Sequence, residues 1–169
     1  FAEESKSFYL SVGGGMSLIS DIEGDYAGID ASFSNDNPFL YSFAIGKEFN
    51  DWRLEFNYSA KTISSDSITI TVGGNGVTAN IAPDYEIDAK SYMLYGYKDF
   101  PSTSNSKFTP YIGAGLGVTS INQDAQNLVV GGANVPLAEG DEQVFTFGVK
   151  GGVDYEIVEN TSLYSEVSY

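Results

Sequence analysis

The sequence predicts an all-β chain folded as an up-and-down antiparallel barrel, and three observations predict it. The first is composition. With 19 glycines, 12 tyrosines and 11 phenylalanines in 169 residues, the chain is rich in residues that suit pleated surfaces and their turns. The second is alternation, clearest in FTPYIGAGLGVTS from Phe108 to Ser120. Successive side chains on a strand point to opposite faces. One face then holds Phe108, Pro110, Ile112, Ala114, Leu116 and Val118, the other Thr109, Tyr111, Gly113, Gly115, Gly117 and Thr119. Three glycines on one face weaken an ordinary strand but suit a face that looks into a crowded, narrow interior. The third observation is rhythm: connections between strands alternate long and short, as in a barrel with all its long loops at one end.

The elements follow in order. The first strand sets Phe8, Leu10, Val12, Gly14, Met16 and Leu18 against Tyr9, Ser11, Gly13, Gly15 and Ser17. A polar loop spans about 19–37. The second strand offers Phe39, Tyr41, Phe43 and Ile45 against Leu40, Ser42, Ala44, Gly46 and Glu48, and Asn50-Asp51 makes a tight turn. The third sets Trp52, Leu54, Phe56 and Tyr58 against Arg53, Glu55, Asn57, Ser59 and Lys61. A second long connection spans 62–86. Within it SITITV and VTANIA flank Gly73-Gly74-Asn75-Gly76, which reads as a hairpin tip whose arms extend the third and fourth strands. The fourth strand, about 87–100, alternates too weakly for its faces to be assigned. Residues 101–107 form a short connection. After the glycine-rich fifth strand comes a loop over about 121–142. The sixth strand sets Phe145, Phe147, Val149, Val153 and Tyr155 against Thr146, Gly148, Lys150, Gly152 and Asp154. A turn at 158–160 leads to the seventh, with Leu163, Val167 and Tyr169 opposed to Tyr164 and Glu166.

Seven is an odd number, and closed bacterial barrels of this type have an even one. The expectation is an up-and-down antiparallel transmembrane β-barrel of eight strands, of which seven are visible. Residues 1–169 then make a single domain that lacks its last loop and strand.

Alternation alone leaves a soluble, lipocalin-like barrel open, and three features favour lipid. Phe49, Trp52, Phe100, Phe108 and Tyr155 all lie beside short turns, where an interfacial aromatic girdle belongs. The opposite face is mostly Gly, Ser and Thr, unlike a solvated sheet with many Lys and Glu residues. The charges on that face are mixed in sign: Arg53, Glu55, Lys61, Lys150, Asp154 and Glu166. Inside a narrow lumen an unpaired charge costs several kcal/mol, so these six are expected to form a paired network. No stretch approaches the roughly 18–20 apolar residues of a membrane helix, but a barrel crosses with strands of about 9–11.

The net charge of -15 argues against nucleic-acid binding, which wants a basic stripe. With no histidine and no cysteine, Cys/His zinc sites, thiol nucleophiles and His-based triads are excluded. A Ser–Lys pair or paired carboxylates such as Asp154 and Glu166 remain conceivable for catalysis, with ion pairing to Lys150 the commoner explanation, and no enzyme is expected. Asp21, Glu23, Asp25 and Asp30 lack the spacing of a calcium loop and read as a solvated acidic loop. No metal and no cofactor is expected.

GGGMSL, KEFNDWRLEFNY, YGYKDF, TPYIGAGLGV and FGVKGGVDYEI together resemble the small outer-membrane β-barrel superfamily, which includes OmpA-type transmembrane domains and rickettsial surface antigens. The resemblance covers nearly the whole chain outside its loops and implies the outer membrane of a Gram-negative bacterium. Missing its final strand and unusually acidic, the chain departs from that pattern. The expected role is structural or adhesive, carried by long acidic loops at 19–37, 62–86 and 122–142. Outer-membrane lipid, lipopolysaccharide and host or cell-surface ligands are the expected partners. The alternative is a narrow channel for small solutes or ions.

Overall fold

A computed structural model describes residues 7–18, 22–26, 29–35, 37–72, 75–80, 86–101, 106–123, 126–130, 133–137 and 140–169. Asp21 and the Gly73-Gly74 part of the expected hairpin tip lie outside these.

Twelve strands form: β1 (Phe8–Met16), β2 (Ile22–Tyr26), β3 (Ile29–Asn35), β4 (Phe39–Phe49), β5 (Trp52–Val72), β6 (Asn75–Asn80), β7 (Glu86–Asp99), β8 (Phe108–Gln123), β9 (Gln126–Val130), β10 (Ala133–Leu137), β11 (Gly140–Val158) and β12 (Thr161–Ser168). Seven of them, β1-β4-β5-β7-β8-β11-β12, make one antiparallel sheet in sequence order. These are the seven expected strands. Two of the short turns need a left-handed residue, and each supplies an asparagine: Asn50 has φ 56° and Asn160 has φ 62°. Asparagine tolerates that region because its short side chain bonds locally.

The sheet curls on itself. The Tyr164 hydroxyl on β12 reaches the backbone of Gly13 on β1, although the two strands lie at opposite ends of the sheet. Their facing edges do not pair with each other among the described residues.

The three long connections contain more structure than their polarity suggests. β2 pairs antiparallel with β3, and β3 then pairs with the far end of β5. β5 runs on to Val72, with β6 antiparallel to it, so the SITITV arm does extend a barrel strand while VTANIA gives a separate short one. β9 and β10 pair in a hairpin between β8 and β11. The expectation of plain loops at 19–37 and 121–142 is therefore corrected. Ser, Thr, Asp and Asn hid a strand signal that is carried by pairing to a neighbour already in place, the tertiary context on which strand propensity depends.

Apolar side chains do not collect inside. Phe147 is 72% exposed, Leu116 57%, Phe43 54% and Val149 52%, and their neighbours along the outer face are similarly bare. The enclosed cluster instead consists of Met93, Tyr95, Tyr97 and Tyr111. On β8 the outer apolar run from Phe108 to Val118 spans about 33 Å of strand at about 3.3 Å per residue. Tilted by roughly 40–45°, that gives an apolar band about 25 Å tall, the height of an outer-membrane hydrocarbon core.

Candidate functional site

The lumen is filled from β7 outward. Its inner face, unreadable from alternation, carries Ser91, Met93, Tyr95, Tyr97 and Asp99, so large side chains stand where the neighbouring strand has none. Register sets Met93 opposite Gly117, Tyr95 opposite Gly115 and Tyr97 opposite Gly113. Tyr9 opposes Gly46, and Tyr111 opposes Gly152. In each tyrosine pair a Cβ on the glycine would run into the ring. The luminal glycines are therefore sockets, and a barrel this narrow fits tyrosines because the facing strand gives up its side chains.

Arg53 stands at the centre of the charged cluster. From β5 its Nη2 lies 2.8 Å from Asp99 Oδ1 on β7, and its Nη1 lies 3.2 Å from Asp154 Oδ2 on β11. The rings of Tyr111, Tyr97 and Tyr9 surround the guanidinium, with centroids 4.6, 5.0 and 5.9 Å from Cζ. A planar, weakly hydrated cation both forks to carboxylates and stacks on rings, which an ammonium does less well. Lys150 makes the second centre: its Nζ is 2.9 Å from Glu166 Oε1 and 4.3 Å from the Tyr95 centroid. The Tyr111 hydroxyl donates to the other Glu166 oxygen at 3.0 Å.

Glu55, 6% exposed, has hydroxyl rather than cationic partners. Tyr9 donates to its Oε2 at 2.9 Å and Tyr97 to its Oε1 at 3.0 Å, with Asn57 Nδ2 at 3.4 Å. Lys61 stands apart at the long-loop end, where its Nζ donates to Ser17 Oγ at 3.0 Å. Of the six luminal charges named from sequence, the structure thus joins Arg53 to Asp154 and Lys150 to Glu166. Glu55 sits among tyrosines, and Lys61, among the described residues, reaches a serine. Asp154 and Glu166 do not face one another as a free carboxylate pair, since each is held by its own cation. Asp99 and the tyrosine donors were missed. Asp99 shares its face with Tyr97 at period two, but that strand could not be oriented without its neighbours.

Above the cluster a ladder of hydroxyls continues the lumen, with Thr119 2.9 Å from Ser91 and 2.7 Å from Thr146. A cavity of about 490 Å³ opens at the short-turn end between Ser7, Glu48, Lys107, Glu156 and Thr161 and reaches in to the cluster, where Arg53, Glu55, Lys150, Asp154 and Glu166 line it. Chemically the cluster can tie strands together and bar the lumen. Among the described residues no three acidic side chains converge as a metal site.

The five short-turn aromatics, Phe49, Trp52, Phe100, Phe108 and Tyr155, all lie on the outer face and are at least a third exposed. Phe108 and Tyr155 stack with centroids 4.7 Å apart. A second aromatic group, not foreseen, rims the opposite end of the band: Tyr58 and Tyr92 are 5.2 Å apart, with Tyr41 and Phe43 at 6.5 Å. Its signal was a tyrosine toward the far end of three neighbouring outward runs, Tyr41, Tyr58 and Tyr92.

A family model described as outer membrane protein beta-barrel domain matches residues 1–169. Outer membrane protein PagN of Salmonella typhimurium is 24% identical over 190 residues, which cover 99% of this chain and 75% of that protein. The crystal structure of Neisserial surface protein A (NspA) superposes with a TM-score of 0.60 at 21% identity, over 98% of this chain and 83% of that one. At that identity the likeness is one of fold.

Proposed function

The chain belongs to the outer membrane protein β-barrel domain family and sits in the Gram-negative outer membrane; from that premise we propose that its work is done at the cell surface, by the long loops. One observation carries the reading. Every strand that outlasts the apolar band does so at the same end. β5 is 21 residues long, about twice the roughly 9–11 needed to cross, and β3 and β6 pair with its overhang. Loops 19–37, 62–86 and 122–142 hold five, three and four acidic residues and no Lys or Arg. Such a surface recruits basic ligands on a host or neighbouring cell, and gathers divalent cations diffusely beside lipopolysaccharide.

The role is non-catalytic in this reading, because the luminal carboxylates already have partners and the chain has no histidine or cysteine. In this reading an eighth strand lies between the edges of β1 and β12, which do not pair with each other among the described residues, since open edges do not persist in hydrocarbon. The test compares cells displaying the intact protein with cells displaying a version shortened at 22–35 and a version in which Asp124, Glu139, Asp141 and Glu142 are replaced by their amides. Binding to cationic host-surface ligands should fall while the barrel stays heat-modifiable on gels. Unchanged binding removes the proposal.

A further inference from the structure

Between its two aromatic rims, the lipid-facing surface of the described residues carries two charges, Lys47 and Lys98. Both lie at the short-turn end, each two residues toward the hydrocarbon from a girdle phenylalanine, Phe49 and Phe100. They are two of only eight basic residues in a chain of net charge -15, in a zone where a lysine has no favourable water. Lys98 is partly neutralised, with its Nζ 3.0 Å from Asp51 Oδ2 and 5.3 Å from the Trp52 centroid. Lys47 lies over Phe8 and Phe49, 5.0 and 5.2 Å from their centroids. Among the described residues it pairs with no carboxylate.

Register connects the two lysines. Lys47 opposes Leu54, Leu54 opposes Gly96, and Gly96 opposes Ala114, while Lys98 is the next outward residue after Gly96. The two stems are thus separated by two strand spacings and by two residues along the strand, about 12 Å, which is within reach of two snorkelling side chains that bend toward the same headgroup level. Leu54 and Trp52 of β5 stand between them, and beside Lys98, one outward position toward the hydrocarbon, the surface drops. A Cβ on Gly96 would meet nothing within 4 Å, whereas the sockets inside the lumen are filled by tyrosine rings.

We propose that Lys47 and Lys98 hold the phosphate of an anionic phospholipid in the leaflet beside the short turns, with an acyl chain lying over Gly96 and Ala114. Short turns face the periplasm in barrels of this type, so the occupant is a periplasmic-leaflet lipid rather than lipopolysaccharide. Charge complementarity selects an anion, the depression selects a chain-bearing one, and the surrounding rings suit the glycerol level.

The test uses the folded protein extracted from outer membranes, with folding checked by its heat shift. It is placed in nanodiscs of phosphatidylethanolamine with or without one-fifth phosphatidylglycerol, and retained lipid is counted by native mass spectrometry. Wild type is expected to retain phosphatidylglycerol over phosphatidylethanolamine. Lys47→Gln and Lys98→Gln should each lower that preference roughly fivefold. Lys90→Gln, at the other end of the outer face, should leave it unchanged. Equal retention of both lipids, or an unaltered preference in the two variants, overturns the proposal. So does full displacement by millimolar inorganic phosphate, which would make the site one for free phosphate.

Discussion

Replacing Arg53 by alanine removes the cation that joins β5, β7 and β11. Asp99 and Asp154 are left near one another with no counter-charge, and three tyrosine rings lose the group they surround. Taking one partner from a buried ion pair costs about 3–5 kcal/mol. The Arg53 side chain is 12% exposed and its two carboxylates 15% and 23%. Luminal water therefore screens part of the loss, and the expected cost is about 3 kcal/mol. The assay is urea unfolding from lipid vesicles, followed by the emission of Trp52, the chain's one tryptophan, with the change read as a midpoint shift at constant slope. A control, Arg53→Met with Asp99→Asn and Asp154→Asn, keeps the volume and drops every charge. It should return to within about 1 kcal/mol of wild type. If Arg53→Ala costs less than about 1 kcal/mol, or the triple variant is as unstable as the single one, the cluster is not what ties these strands together.

The socket account predicts that Gly46→Ala, which drives a Cβ into the Tyr9 ring, destabilises by about 1–3 kcal/mol in the same assay. Gly151→Ala, where a Cβ meets nothing within 4 Å, should stay within about 0.5 kcal/mol. Ala114→Arg, midway up the lipid face of β8, is expected to cost about 2–4 kcal/mol in vesicles; a neutral result would mean that water reaches that face. With Arg53, Lys150 and four tyrosines across the lumen, planar-bilayer recordings should show no conductance above background, and steady open-channel currents would restore the narrow-channel alternative.

Seven strands, their order and the outward face of six of them were legible because lipid on one side and a filled lumen on the other enforce strict alternation. Phe108 to Thr119 shows the reason: each residue type is dictated by its side of the sheet. β7 was not legible because both of its faces carry bulky residues, Tyr92 and Leu94 outside, Met93, Tyr95 and Tyr97 inside. Only the glycines on β8, read together with β7, reveal which tyrosines go inward. Mixed signs on one face marked Arg53, Glu55, Lys61, Lys150, Asp154 and Glu166 as luminal, but the pairing between them depends on which strands the curl brings together. That is how Arg53 meets Asp154 three strands away, and why Glu55 ends among hydroxyls. The short strands β2, β3, β9 and β10 escaped notice because they pair with an overhanging barrel strand or with each other, and their residues alone look like loop; β6 was legible as a hairpin arm, though not as a strand separate from the fourth.

Everything in this account depends on hydrocarbon touching the even-numbered residues of β8 and not the odd ones. A chain without cysteine allows single spin-labelled cysteines to be placed at 112, 114, 116 and 118 and at the luminal threonines 109 and 119 in vesicle-embedded protein. Labels at 112, 114, 116 and 118 should collide readily with oxygen, which concentrates in lipid, and poorly with a water-soluble nickel chelate; labels at 109 and 119 should show low oxygen collision. The reverse pattern, or chelate access at 112–118 on the outer face, would contradict it.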